Sequence, residues 1–205
     1  MHHPWPERQV LDGTALQEGV TQAAGQDPVR GHLVADHRSR PWEIQVLRDA
    51  QRLAGLDEAL ARVQQLSVQT VIFDVEPLIA YWDSGQEALD QGIAQALTKA
   101  DAVPGLKVVC FSTNSLRRPL VMPTTQVRAV YLSAAGKPLR ISQYLDFPRP
   151  GAVIGDQVAT DGILARRLGY TFLQCRPVEH LPPGPRMMQG LGSLVRPLLF
   201  TRHHG

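Results

Sequence analysis

Four short clusters in this sequence bring together the side chains that phosphoryl chemistry needs. Asp74 and Glu76 follow the run Val71-Ile72-Phe73, and Ser112-Thr113-Asn114 follow Val108-Val109-Cys110-Phe111. Lys137 stands in Ala135-Gly136-Lys137-Pro138, shortly after Ala129-Val130-Tyr131-Leu132, and Asp156 and Asp161 come after Ala152-Val153-Ile154-Gly155. A carboxylate such as Asp74 can attack phosphorus and form an aspartyl-phosphate, which splits one hard hydrolysis into two easier steps. An anion must then approach an anion. A magnesium ion held by carboxylates offsets that repulsion, a lysine steadies the transferring oxygens, and hydroxyls and backbone N–H groups complete the cradle.

The elements that position these residues can be read from the same runs. Each is continuously apolar and short, the pattern of a strand buried on both faces, and Tyr170 to Cys175 is a weaker example. Helix-like segments lie between them: Gln86 to Ala100, short pieces near Arg117 and Ile141, and Thr160 to Leu168 closing at Gly169. Alternating strands and helices predict an α/β fold, a doubly wound and mostly parallel sheet with right-handed crossovers. In such sheets ligands bind at the carboxyl ends of the strands. The four clusters stand just past those ends, so they are expected to converge on one edge as a site for a metal and a phosphate.

The rest of the chain bounds the answer. With 205 residues, 43% hydrophobic, 20% charged and a net charge of +2, the composition is that of one folded domain rather than a disordered chain. Lys and Arg are scattered, with no basic stripe interleaved with aromatics, so nucleic acid is not an expected partner. Cys110 and Cys175 sit in apolar runs and read as reduced packing thiols. No apolar segment reaches the length of a membrane span and the start lacks the pattern of a secretory signal, so the protein is expected to be cytoplasmic. Residues 1–40 lack helical or strand period and read as a flexible or loosely docked extension to a domain over 41–205. Trp42 to Leu66 reads as two helical pieces broken at Gly55. The apolar stretch from Met187 to Phe200, which carries Arg196, is expected to dock on the core, with peripheral contact to a membrane surface as its other use. Arg117-Arg118 reads as a solvated pair or as a greeter of an anionic substrate, and the terminal His pairs read as solvated.

In order and content the four clusters resemble the motifs of the haloacid dehalogenase superfamily of phosphatases. Val71-Ile72-Phe73-Asp74-Val75-Glu76-Pro77-Leu78 matches its first motif, a strand followed by Asp-x-Asp-x-Thr. The second is matched by the strand ending at Ser112, the third by Gly136-Lys137-Pro138, and the fourth by Val153-Ile154-Gly155-Asp156-Gln157-Val158-Ala159-Thr160-Asp161. The Lys-Pro step, the Gly-Asp-Gln…Thr-Asp pattern and the lack of a large cap are similar to the YqeG-like, subclass IIIA group, over about residues 71–178. The resemblance implies a HAD-like Rossmannoid fold, Mg2+ as cofactor and a phosphomonoester substrate. It makes Asp74 nucleophile and metal ligand, the main-chain carbonyl of Glu76 a second ligand and Asp156 a third, with Asp161 orienting the metal shell. Ser112, aided by Thr113 or Asn114, would hold a phosphate oxygen, and Lys137 would neutralise Asp74 and the phosphate.

Two departures from that pattern matter. Glu76 replaces the usual acid/base Asp with a chain one methylene longer, and Leu78 after Pro77 replaces the usual Thr hydroxyl. Two functions follow. One is a phosphatase acting on a small phosphorylated molecule or, as in relatives of this group, a lipid head group such as phosphatidylglycerophosphate. The other is a silent relative that binds a phosphorylated ligand or a protein partner. A nucleotide-binding module lacks its Gly-rich loop after the first strand.

Overall fold

A computed structural model describes residues 9–10, 44–47, 52–175 and 183–199. In chain order its elements are strands β1 (Gln9–Val10) and β2 (Ile44–Leu47), helix α1 (Arg52–Gln65), β3 (Thr70–Asp74), α2 (Gln86–Asp101), β4 (Val108–Ser112), β5 (Arg128–Leu132), β6 (Gly151–Gly155), α3 (Ile163–Leu168), β7 (Thr171–Cys175) and α4 (Pro183–Leu199). The sheet order is β1-β5-β4-β3-β6-β7-β2. The five central strands are all parallel, β2 joins parallel to β7, and β1 pairs antiparallel with β5. The expected α/β doubly wound sheet is therefore the observed one, and no large cap is inserted among the described residues.

The apolar runs are continuous because both faces of the sheet are covered. β3, β4 and β6 are buried along their whole length. Alternation along β3 sends Val71 and Phe73 to one face and Ile72 to the other. On the first face Phe73 stacks on Phe111 and packs with Leu56, Ala59 and Val63 of α1 and Leu89, Ile93 and Leu97 of α2. Those helical positions recur every three or four residues, so each helix presents one apolar stripe to the sheet. On the second face Ile72, Cys110, Val153 and Phe172 pack with Tyr144, Leu164 and Leu168. Cys110 and Cys175 are buried thiols joined in no disulfide, as expected.

Several local expectations are corrected. The region read as two helical pieces is a strand, Ile44–Leu47, followed by one helix, Arg52–Gln65, which runs through Gly55. Ile44 and Val46 follow the strand period. A mid-helix Gly costs only about 1 kcal/mol, less than the burial of Leu56, Leu60 and Val63 returns. No helix forms near Arg117, and the piece near Ile141 is a single 3-10 turn, Ser142–Tyr144. The segment read as one helix from Thr160 opens with a π-helical turn, Val158–Gly162, before α3, which ends at Gly169 in the left-handed region. Of the extension expected over 1–40, only Gln9–Val10 is described, and the rest lies outside the described residues.

The strand order dictates where a site can form. From β3 the chain winds outward through β4 to β5, then returns to β6 on the other side of β3 and winds out through β7. The direction of winding reverses between β3 and β6, which opens a crevice beyond their carboxyl ends. Asp74 ends β3, and Asp156 follows the end of β6.

Candidate active site

Beyond those strand ends lies a cavity of about 320 Å3, lined by Asp74, Glu76, Thr113, Asn114 and Lys137. Two of these residues, Asp74 and Lys137, belong to an ion cluster. Lys137 Nζ lies 2.8 Å from Asp74 Oδ1 and donates to Asp161 Oδ1 at 2.8 Å. Carboxylate oxygens of Asp74, Asp156 and Asp161 all fall within 4.8 Å of one another, and all three residues are buried.

Lys137 reaches this cluster by a route that needs explaining, because β4 separates its strand, β5, from β3. The loop after β5 folds back over the end of β4: Ala134 N donates to Ser115 O and Ala135 N to Thr113 O. Ala134 and Gly136 take positive φ, 48° and 66°, to make this turn. The side chain of Asn114 then grips the Lys137 backbone twice, accepting from its N–H at 2.8 Å and donating to its C=O at 3.1 Å. Asn114, expected to aid phosphate binding, lines the cavity and also positions Lys137.

Asp161 is placed by the π turn. Gln157 O accepts from the N–H groups of Thr160, Asp161 and Gly162, and Gln157 N donates to Asp161 Oδ2 at 3.3 Å. The widened turn carries the carboxylate back over the end of β6, where only a glycine leaves room. A Cβ on Gly155 would stand 2.3 Å from Asp161 Oδ2. Gly155→Ala is accordingly expected to push Asp161 off Lys137 and to cost about 1–3 kcal/mol by overpacking. Urea unfolding checks this, and an unchanged midpoint would contradict the close approach.

Glu76 is held from the β4 side. Thr113 Oγ1 donates to Glu76 Oε2 at 2.7 Å, Ser115 Oγ lies 3.5 Å from Oε1, and Arg117 Nη1 is 3.8 Å from Oε1. The Glu76 carboxylate is not part of the three-acid group. Arg117 is neither a solvated residue nor a free greeter of substrate. Its guanidinium donates to Tyr81 O and Ser84 O and so pins the loop that follows Glu76, while Arg118 Nε donates to Ser133 Oγ.

Ser112 is the expected phosphate ligand that the structure turns away. Its hydroxyl is buried against Tyr144 Oη at 2.7 Å, on the face opposite to Phe73 and outside the cavity lining. The Ser112 hydroxyl is engaged by Tyr144, and Thr113, the next residue, lines the cavity instead. Trp82, Ser115, Gln157, Thr160 and Gly184 complete the lining. Gln157 and Thr160 lie inside the fourth motif and were legible from it, whereas Trp82 and Gly184 carry no local signal.

The electrostatics follow from burial and crowding. Burial pushes the Asp74 carboxyl well above its ordinary 3.8, and the Asp161 carboxylate adds to this; Lys137 pulls it down and Asp156 raises it again. Burial pulls the Lys137 ammonium down, but Asp161 and then Asp74 outweigh it and hold the group above its ordinary 10.5. Lys137 is thus paired with two of the three buried carboxylates, Asp74 and Asp161. The donors are all hard carboxylate oxygens, which suit magnesium or calcium rather than a thiophilic metal. A divalent cation there would relieve the crowding that raises Asp74.

No protein-family model, curated protein or solved structure matches the chain. Among the described residues no helix is long and apolar enough to cross a membrane.

Proposed function

We propose that this chain is a magnesium-dependent phosphohydrolase, cytoplasmic and of the haloacid dehalogenase type, which transfers phosphate from a phosphomonoester to Asp74. The observation that carries the reading is the Lys137 bridge at 2.8 Å to both Asp74 and Asp161, beside Asp156, at the point where the sheet's winding reverses. In the first step a carboxylate oxygen of Asp74 bonds to phosphorus, the ester P–O bond breaks, and the leaving oxygen takes a proton from Glu76. In the second step Glu76 removes a proton from water as that water's oxygen bonds to phosphorus. The acyl-phosphate P–O bond breaks, releasing phosphate and restoring Asp74. Asp74, Asp156 and the main-chain carbonyl of Glu76 would hold the magnesium ion, which supplies neutralisation of the phosphoryl oxygens. Lys137 neutralises Asp74 in the free protein and the phosphoryl group in the complex. Thr113 orients Glu76, and Asn114 orients Lys137.

The second reading is a phosphate-binding protein without turnover, and the hold on Glu76 favours it. A carboxylate already accepting from Thr113, with Ser115 and Arg117 close by, is restrained from reaching a leaving group. Hydrolysis of a panel of phosphate esters with magnesium separates the two. On the hydrolase reading Glu76→Asp, which shortens the acid and draws it off Thr113, lowers turnover about tenfold to a hundredfold. A rate gain in Glu76→Asp would show that the longer acid is the impaired element. Absence of Asp74-dependent turnover across the panel, with phosphate still raising the melting temperature, would establish the binding protein.

A further inference from the structure

Three uncharged side chains of the cavity lining, Trp82, Gln157 and Thr160, take no part in the steps assigned above. They are left for whatever is joined to the phosphate, and the cavity has room for it. Its 320 Å3 is the volume of about ten waters, more than a phosphoryl group fills. Trp82 is built into its place. It stands in the loop after Glu76, just past Leu78, Ile79 and Ala80, which are all buried. On either side of it the backbone is clamped by Arg117, which donates to Tyr81 O at 2.6 Å and to Ser84 O at 2.8 Å. The indole is half-buried, so part of it stays open to a ligand. Gln157 and Thr160 come instead from the end of β6, at the start of the π turn, and are half-buried as well. Their backbone is fixed by Gln157 O, which accepts from Thr160 N at 3.3 Å and from Asp161 N at 2.8 Å. Among the described residues, no hydrogen bond occupies the Gln157 carboxamide or the Thr160 hydroxyl.

The chemistry of these three groups selects what they hold. Among the described residues of the lining, Trp82 is the one large apolar side chain. A flexible acyl chain would find no apolar channel here and would lose rotamer freedom against a single indole. A rigid ring loses little, and the indole face, which is electron-rich, matches a flat face that presents C–H groups. A purely aromatic ring would leave the Gln157 carboxamide and the Thr160 hydroxyl facing carbon, at the cost of their bonds to water. A sugar ring fits both demands, because one face carries C–H groups and its edge carries hydroxyls that donate and accept.

We propose, building on the phosphohydrolase reading of the same cavity, that Trp82, Gln157 and Thr160 form its leaving-group subsite and that the substrate is the phosphomonoester of a cyclic sugar. Trp82 packs on the ring, and Gln157 and Thr160 bond to its hydroxyls. Calorimetric titration in magnesium of the full chain carrying Asp74→Asn, which forms no aspartyl-phosphate, reads the subsite without turnover. The probes are glucose 6-phosphate, ribose 5-phosphate, phenyl phosphate, hexyl phosphate and inorganic phosphate. At least one sugar phosphate is expected to bind about tenfold or more tightly than inorganic phosphate and than either of the other esters. Adding Trp82→Ala should cut the preference over inorganic phosphate about tenfold, and Trp82→Phe, which keeps a ring, should retain most of it. Adding Gln157→Leu/Thr160→Val should narrow the preference over phenyl phosphate. Circular dichroism and melting temperature are expected to match those of Asp74→Asn alone in each variant compared. Sugar phosphates that bind no more tightly than hexyl or phenyl phosphate, a preference indifferent to these variants, or no binding of any probe would overturn the subsite. Turnover by the parent decides the hydrolase separately: a sugar-phosphate preference without turnover keeps the subsite and removes the hydrolase, and turnover without that preference does the reverse.

Discussion

Asp74→Asn is expected to lower magnesium-dependent ester hydrolysis by about four orders of magnitude or more while raising the thermal stability of the metal-free protein at neutral pH. The first effect follows from removing the oxygen that bonds to phosphorus, since an amide is a poor nucleophile and no other described carboxylate ends β3. The second follows from the environment of Asp74. Its folded pKa is raised above the ordinary 3.8 by burial first and by Asp161 next. A group raised in this way contributes stability that is fully present below pH 3.8 and is lost as pH rises through the folded value. At neutral pH the unfolded acid, with its ordinary 3.8, is ionised, so burying it opposes folding, and the neutral amide carries no such cost. Thermal melts in chelator, beside an ester-hydrolysis assay in magnesium, measure both effects. Adding magnesium should raise the melting temperature of the parent more than that of the variant, because the cation gains most where the carboxylate is charged. A variant that loses stability and activity together would show that Asp74 is a structural carboxylate.

Lys137→Met is expected to destabilise the metal-free protein by about 3–5 kcal/mol, as removal of one partner from a buried ion pair does. Methionine nearly matches the stem in volume, so the loss is one of charge rather than of packing. Asp74 and Asp161 each lie 2.8 Å from Nζ, and without it both stay buried next to Asp156 without the cation that pairs with them. The deficit should shrink as pH falls and Asp74, whose carboxyl is held above its ordinary range by burial, protonates. In the parent, the contribution of Lys137 is complete below pH 10.5 and is lost as pH rises through its still higher folded value. Urea unfolding of Lys137→Met and of Lys137→Met/Asp161→Asn measures this, and the double variant should recover part of the loss. A cost below about 1 kcal/mol, the range of a solvent-exposed pair, would mean that the cluster is not a buried one.

These expectations depend differently on sequence and on structure. The continuous run Val71-Ile72-Phe73 announced a strand covered on both faces, and the packing of Phe73 with α1 and α2 and of Ile72 with α3 is that covering. The π turn before α3 was not legible. It differs from an α-helical start by one extra residue in a hydrogen-bonded turn, a change that leaves composition and period almost untouched. The strand at Ile44–Leu47 was missed for a related reason, since its three apolar positions satisfy a helical period (Ile44, Leu47) as readily as a strand period (Ile44, Val46).

By itself the sequence determined the fold class and the register of chemistry along it: which runs are buried strands, and that acids, hydroxyls and one lysine stand just past their ends. These are local consequences of desolvation, written in a few adjacent residues. Only the tertiary structure decided which of those side chains share one cavity. Ser112 is lost to Tyr144, 32 residues away, Glu76 is captured by Thr113 across 37 residues, and Lys137 meets Asp161 across 24. Each choice depends on which strand lies beside which and on the direction a side chain leaves its strand end. Both are set by the packing of distant segments against one another, and no short window of residues contains that information.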